Sequence, residues 1–265
     1  MIKSRDDGRS IMSTGNNQYL SGILTGQNLT NAELDNLRSL RQHIEVQLSV
    51  LEGSPRFYYG GSFGKYTMIR ASYDLDLVMY WPHTSNYSIK GIYEAVGNIL
   101  RKHYSVNSKT VAWELPFQGG FHIDVVPGRA LDAQYYAANL HRSDRGTTLK
   151  TSLKKHIDTV RDSGRADVIR LMKLWRAQKS VPFKKNFLLE LMTIEGCRGK
   201  PTNGLEVQLG AALKYVRDNI LTCNVLDPAN SNNSLSDDLD PSTRAAIYYR
   251  AEEAIKATYW SQVLQ

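Results

Sequence analysis

Cysteine is scarce: Cys197 and Cys223 are the only two among 265 residues. Two thiols cannot make a zinc site by themselves, and no Cys/His cluster with ligand spacing surrounds them. They could pair on number alone, but reduced thiols are the expectation in a cytoplasmic protein. Other absences point to that compartment. No apolar run approaches the roughly 18–20 residues of a membrane span. The start, Met1-Ile2-Lys3-Ser4-Arg5-Asp6-Asp7, lacks the apolar centre of a signal peptide. A cytoplasmic protein with no membrane partner is therefore expected. Internal repeats, low-complexity segments and a long basic tail are also missing.

What is present is ordinary for a soluble globular protein: 42% apolar and 22% charged residues. The length suits one large domain or two intimately packed lobes. A net charge of +7 fits a protein that handles polyphosphates or RNA, without requiring it. The basic residues are spread along the chain, with modest clusters at Lys150–Lys155 and Lys184-Lys185.

Periodicity divides the chain. Residues 1–20 read as a polar lead-in, poorly ordered or docking. Thr30-Asn31-Ala32-Glu33 offers a helix cap, and Leu34, Leu37, Leu40, Ile44, Leu48 and Leu51 follow at helical spacing, predicting a long bracing helix over 30–52. Short strands are expected at 55–59, 74–80 and 109–115, and a helix at 86–103. A further strand is expected at Phe121–Val126, ended by Pro127. Residues 132–165 are polar, with a helix starting near Ser152. Helices then follow at about 166–178, 186–195, 203–221 and 242–263. The fold class expected is α+β and bilobal, divided into residues 1–150 and 151–265. The first part is strand-rich, with its bracing helix; the second is helical.

The chemistry concentrates in residues 60–81. Gly60-Gly61-Ser62 is a turn whose backbone N–H groups can face an anion, more so if a helix starts at Ser62 or Phe63. Asp74 and Asp76 stand two apart at the head of an apolar strand, so their side chains share a face. Side-by-side carboxylates repel and favour a hard cation such as Mg²⁺. Asp124 lies within the apolar run Phe121–Val126, where a carboxylate is costly to bury unless paired or bound to metal. It is the natural third acid.

In this order and spacing, Gly-Gly-Ser followed by Asp-Leu-Asp resembles the signature of the DNA polymerase beta-like nucleotidyltransferases. Phe63, Gly64, Thr67 and Arg70 match the variant of oligoadenylate synthases, cyclic GMP-AMP synthase and bacterial CD-NTases. The segments Ile169–Trp175, Phe187–Met192 and Val225–Asn230 resemble later helices and a loop of the same group. The resemblance implies a polymerase beta-like lobe, a helical lobe and a cleft between them. It implies that Asp74, Asp76 and Asp124 are catalytic and hold two Mg²⁺ ions, with Mn²⁺ as a substitute. Gly61, Ser62, Phe63 and Lys65 would meet the phosphates. Lys173, a solvated cation by default, would reach the donor phosphates from across the cleft. Asp227, Asn230 and Asn233 would lie at the cleft, the asparagines near a base or ribose. Tyr66 is a candidate for base stacking, and Glu190 for a structural ion pair.

The function implied is the joining of nucleoside triphosphates, ATP first among them, into cyclic or short linear oligonucleotide signals with release of pyrophosphate. In bacteria such enzymes act in anti-phage (CBASS-type) defence. A monomer is expected, with room for an RNA or protein activator. The zinc insertion of cyclic GMP-AMP synthase is missing, which argues against DNA sensing by that device. Two rival readings stand beside this one. The first is an RNA 3′-end nucleotidyltransferase of the CCA-adding or poly(A) polymerase kind, with the same three aspartates. The second is a non-catalytic nucleotide- or RNA-binding module.

Overall fold

The computed structural model describes residues 6–265, with side-chain surroundings from residue 15 onward. Helix α1 (Asp6–Gly26) stands where a polar lead-in was expected; residues 1–5 of that expectation lie outside the described residues. It docks on the C-terminal half. Leu20 and Leu24 are buried in that half's core. The Tyr19 hydroxyl donates to the Leu264 carbonyl at 2.7 Å, and Asn16 donates to Glu206 at 2.7 Å. The partners are 245 and 190 residues away, so the short apolar face has no local signal.

Helix α2 (Asn31–Leu48) starts as its sequence predicts. Thr30 Oγ1 accepts from Glu33 N, and Thr30 N donates to Glu33 Oε2 at 2.7 Å, a reciprocal cap. It stops at Leu48 rather than near residue 52. Leu37, Ile44 and Leu48 seal one face of the sheet, as expected of a bracing helix.

The chain then enters the sheet through β1 (Arg56–Tyr59), the five-residue α3 (Gly61–Lys65) and β2 (Leu75–Trp81). Helix α4 (Ile89–His103) follows, capped by Ser88, and then β3 (Asn107–Ser108), β4 (Trp113–Pro116) and β5 (His122–Ala130). Two further strands, β6 (Ala138–Arg142) and β7 (Thr147–Thr151), form a hairpin in the polar stretch to which the sequence assigned no strand. The sheet order is β1-β2-β5-β4-β3, with β6 on β5 and β7 on β6. β2 and β5 run parallel; the other pairings are antiparallel.

Pro127 does not end β5. It pairs with Met79 of β2 on one side. On the other it falls between the last β4 partner, Val125↔Trp113, and the first β6 partner, Gly128↔Leu140. A residue without an N–H is tolerated in that gap, where no ladder bond is asked of it.

The second half holds α5 (Leu153–Arg161), α6 (Ala166–Gln178), α7 (Asn186–Gly196) and α8 (Leu205–Asn219). A small hairpin of β8 (Leu226–Asp227) and β9 (Asn230–Ser234) leads to α9 (Pro241–Lys256) and α10 (Trp260–Val263). Asp240 caps α9, with Pro241 in its first turn. The single last helix expected from sequence is broken at Ala257, which is extended. The two halves have separate cores. One is built on β2, β4 and β5 with α2 and α4; the other centres on α6, α7, α8 and α9. The architecture is thus α+β and bilobal, and among the described residues no helix is long and apolar enough to cross a membrane.

Candidate active site

Three strands place a row of acids. Asp76 of β2 is the register partner of Asp124 of β5, and Asp124 is the partner of Glu114 of β4. Register partners on adjacent strands share a face about 4.8 Å apart. Asp76 interrupts an otherwise buried apolar strand. Burial, then the negative charges of Asp74 and Asp124, push its carboxyl up to about 7, against the pull of Lys65 and Lys173. The carboxyl of Asp124 is also raised, by burial first, with Lys109 and His122 opposing. Asp74 stands just before β2, its Oδ2 3.6 Å from His122 Nε2.

The glycines of the preceding turn have a second reason to be glycine. Gly61 has φ +47°, and a Cβ there would fall 1.5 Å from Asp76 Oδ2. Gly60 donates its N–H to the Asp76 carbonyl at 2.8 Å. The turn and the carboxylate are therefore fitted against one another, and any side chain at position 61 would displace Asp76.

Ser62 is the second residue of α3. Among the described residues, its Oγ is the buried side-chain nitrogen or oxygen left without a hydrogen-bond partner. Buried hydroxyls are ordinarily paired, so an orphan facing a cavity marks a position for a ligand. That cavity is lined by Ser62, Thr67, Asp74, Lys173, Arg176 and Asn186, with Ile69 and Ser72. Arg176 is fixed by two bonds to the Phe183 carbonyl, at 2.7 and 3.1 Å, and one to Asn186 Oδ1 at 3.0 Å.

Lys173 reaches the cavity wall from α6, but its ammonium is engaged. It lies 2.5 Å from Glu190 Oε1 and 2.8 Å from Thr67 Oγ1. Lys65 Nζ takes the other oxygen, Glu190 Oε2, at 2.6 Å. Glu190 is 0% exposed. Burial alone would raise its carboxyl; the two lysines outweigh burial and hold it below the usual carboxylate range. The structural ion pair expected for Glu190 is present, with two cations rather than one. Lys65 also sits over the Phe187 ring, and Phe63 packs on Tyr59, so both side chains serve the scaffold here. Tyr66 is exposed, with φ +61°, and its ring is covered by the Arg161 guanidinium at 3.7 Å.

The Asp227 loop is internally paired. Asp227 Oδ1 accepts from Ala229 N at 2.8 Å and lies 2.7 Å from His156 Nε2; its Oδ2 accepts from Asn233. Burial raises the Asp227 carboxyl, but these bonds prevail and hold it below its ordinary value. Asn230 donates to the Lys150 carbonyl. The His156 ring packs on Phe187, which links this loop to Lys65.

Sequence reasoning passed over Glu114, His122, Lys109, Arg176 and His156. Glu114 sits in the alternation Trp113-Glu114-Leu115 and was legible as a strand residue only. Ligand atoms of Glu114, His122 and Asp124 lie within 4.8 Å of one another, a group able to hold a metal ion. Lys109 Nζ already lies between two of them, 2.6 Å from Glu114 and 2.9 Å from Asp124. A separate hollow of about 550 Å³ lies at the α9–α10 break, near Trp175 and Tyr249. It contains none of the groups above.

The glycine turn, the parallel β2/β5 pair bearing Asp76 and Asp124, and the helical lobe facing them give the chain the fold of solved CD-NTases. No family model matches the chain. It is 25% identical over 189 residues to the cyclic AMP-AMP-AMP synthase of Escherichia coli (strain MS 115-1). That match covers 62% of this chain and 59% of the relative, so it spans under two thirds of the relative's length. Structures agree over nearly all of the chain. E. coli MS115-1 CdnC with ATP superposes with a TM-score of 0.73 at 21% identity, covering 94% of this chain and 97% of that one. Bradyrhizobium diazoefficiens CD-NTase CdnG with GTP gives 0.73 at 13% identity, over 91% and 90%. Vibrio cholerae DncV gives 0.65 at 16%, over 95% and 82%. The resemblance read from the sequence is borne out.

Proposed function

We propose that this chain is a metal-dependent nucleotidyltransferase that joins nucleoside triphosphates into a cyclic or short linear oligonucleotide signal and releases pyrophosphate. The observation that carries the reading is the pairing of Asp76 with Asp124 on adjacent parallel strands, beside a cavity that holds the unpartnered Ser62 hydroxyl and Asp74. One half suits cations and the other phosphate, as a triphosphate–metal complex requires.

The donor set fits magnesium: hard carboxylate oxygens, one with its proton affinity raised by burial and then by neighbouring negative charge. Asp74, Asp76 and Asp124 would hold the ions, which, when bound, lower the pKa of an attacking hydroxyl and offset charge on the leaving pyrophosphate. Asp76 gives up its proton on binding. Ser62 Oγ donates to a phosphate oxygen, and Arg176 presents its guanidinium from the same cavity wall. Lys173 exchanges Thr67 for phosphate while Glu190 keeps it charged. Asp227, Asn230 and Asn233 set the edge of the cleft.

The E. coli synthase named above makes a cyclic trimer of AMP, and solved relatives carry ATP or GTP. On that basis ATP is the first substrate to try, and the cytoplasm, where nucleotide pools lie, the expected compartment. E. coli CdnC is also seen in complex with HORMA-deltaN, which supports a protein partner here, an activator being the role expected of it. The resemblance carried by the sequence motifs extends the proposal to a role in anti-phage signalling. The test is incubation of labelled triphosphates, singly and mixed, with and without RNA. A phosphatase-resistant product made without RNA is expected from the wild type and none from the Asp74→Ala/Asp76→Ala variant. Full turnover in that variant, or lengthened RNA as the product, defeats the reading.

A further inference from the structure

Lys109 occupies the position of a cation at the acid row. Its Nζ lies 2.9 Å from each oxygen of Asp124 and 2.6 Å from Glu114 Oε2. The backbone that carries it is fixed. Lys109 N donates to the Ala112 carbonyl at 2.9 Å. Its own carbonyl accepts from the Tyr93 hydroxyl at 3.1 Å and from the Ser143 hydroxyl at 2.9 Å. Tyr93 is buried and stacked on Trp113. The stem thus starts from a rigid turn, while the side chain is 38% exposed and ends in a compact charge on flexible methylenes.

Both oxygens of Asp124 face that ammonium, yet Asp124 is also the register partner of Asp76. A divalent ion drawing on Asp124 would meet a like charge at hydrogen-bond distance from its own ligand. Glu114 resolves the conflict. It neighbours Asp124 on β4 and is a second acceptor for the same ammonium. Lys109 can therefore release Asp124 without losing its salt bridge.

We propose that Lys109 is a resident counter-cation of the acid row, held by Asp124 until a divalent ion takes its place, when it retires to Glu114. It sets the metal concentration at which the site fills. This inference rests on the metal-dependent reading above.

Mn²⁺ titration of the full chain, with free ion followed by electron paramagnetic resonance, compares the wild type with Lys109→Met, Lys109→Arg and Asp76→Asn. Removing the ammonium should tighten Mn²⁺ binding about tenfold or more, and the arginine should stay near wild type. A second readout uses the unaltered protein and does not depend on a variant folding. The Lys109 ammonium resonance in ¹⁵N-edited spectra should change as Mg²⁺ saturates the site. Equal affinity in wild type and Lys109→Met, lost in Asp76→Asn, overturns the Lys109 inference alone, as does an ammonium resonance unmoved by saturating Mg²⁺. No Mn²⁺ binding in any of the proteins overturns both the inference and the metal reading beneath it.

Discussion

Asp76 and Glu190 are both carboxylates set into the cleft walls, and they behave in opposite ways. Glu190 is supplied with two cations by the chain itself, Lys65 and Lys173, and its carboxyl falls below the usual range. Asp76 is buried beside two further acids, and burial first, then their charge, pushes its carboxyl up to about 7. A carboxylate whose cations are supplied by the chain's own side chains is a beam; one with its charge left open is a socket. The contrast extends to the hydroxyls. Thr67, beside Glu190, is fully bonded, while Ser62, on the same short segment, is not.

The comparison can be broken most directly at Asp76. Asp76→Asn should lower turnover of labelled triphosphate by about a thousandfold or more while leaving the circular dichroism spectrum unchanged. If activity survives, Asp76 is no socket.

Glu190→Gln should do the reverse, acting first on stability. It leaves two lysines facing a neutral amide, a loss of about 3–5 kcal/mol by the behaviour of broken buried pairs. Urea denaturation would measure it, and an unaltered midpoint would remove the distinction between the two acids.

The acid–base consequence comes next. Between the ordinary 3.8 and about 7, the native protein holds a proton on Asp76 that the unfolded chain does not. That contribution is present at low pH and is lost as pH rises through about 7, so the metal-free protein becomes less stable over this window. Metal binding runs the other way: affinity should rise about tenfold per pH unit below 7 and level off above it, as calorimetric titration at several pH values would show.

The smallest effect is expected at Ser62. Ser62→Ala removes a hydroxyl that bonds nothing in the structure, so the thermal midpoint should hardly move. Affinity for a non-hydrolysable ATP analogue should fall about tenfold by calorimetry. Loss of stability with unchanged affinity would make Ser62 a scaffold residue.

Much of this was legible in the residues themselves. The cap at Thr30, the glycine turn, the Asp-Leu-Asp head of β2 and the isolated Asp124 are local signals, and the structure has each in the element its neighbours imply. What escaped notice depends on distance along the chain. Lys109 acquires meaning only from Asp124, which folding brings opposite it. Arg176, in the last turn of α6, reads from sequence as a charge suited to a helix end. The β6–β7 hairpin is polar on most positions, and its pairing with β5 supplies what its composition withholds. Glycine at 61 looked like a device for binding anions; the Asp76 carboxylate beside it is a steric demand that no sequence window contains.

The docking of α1 on the far half has a consequence for how the chain is made. The helix leaves the ribosome before the elements it packs on, and the surface of α6 and α8 that covers Leu20 and Leu24 is complete only after residue 219. At about 5–20 residues per second, that is a wait of roughly ten to forty seconds. Throughout it the sheet half can close while α1 stays bare. The helical half assembles after the sheet half, and the cleft becomes two-sided only once α8 has been made.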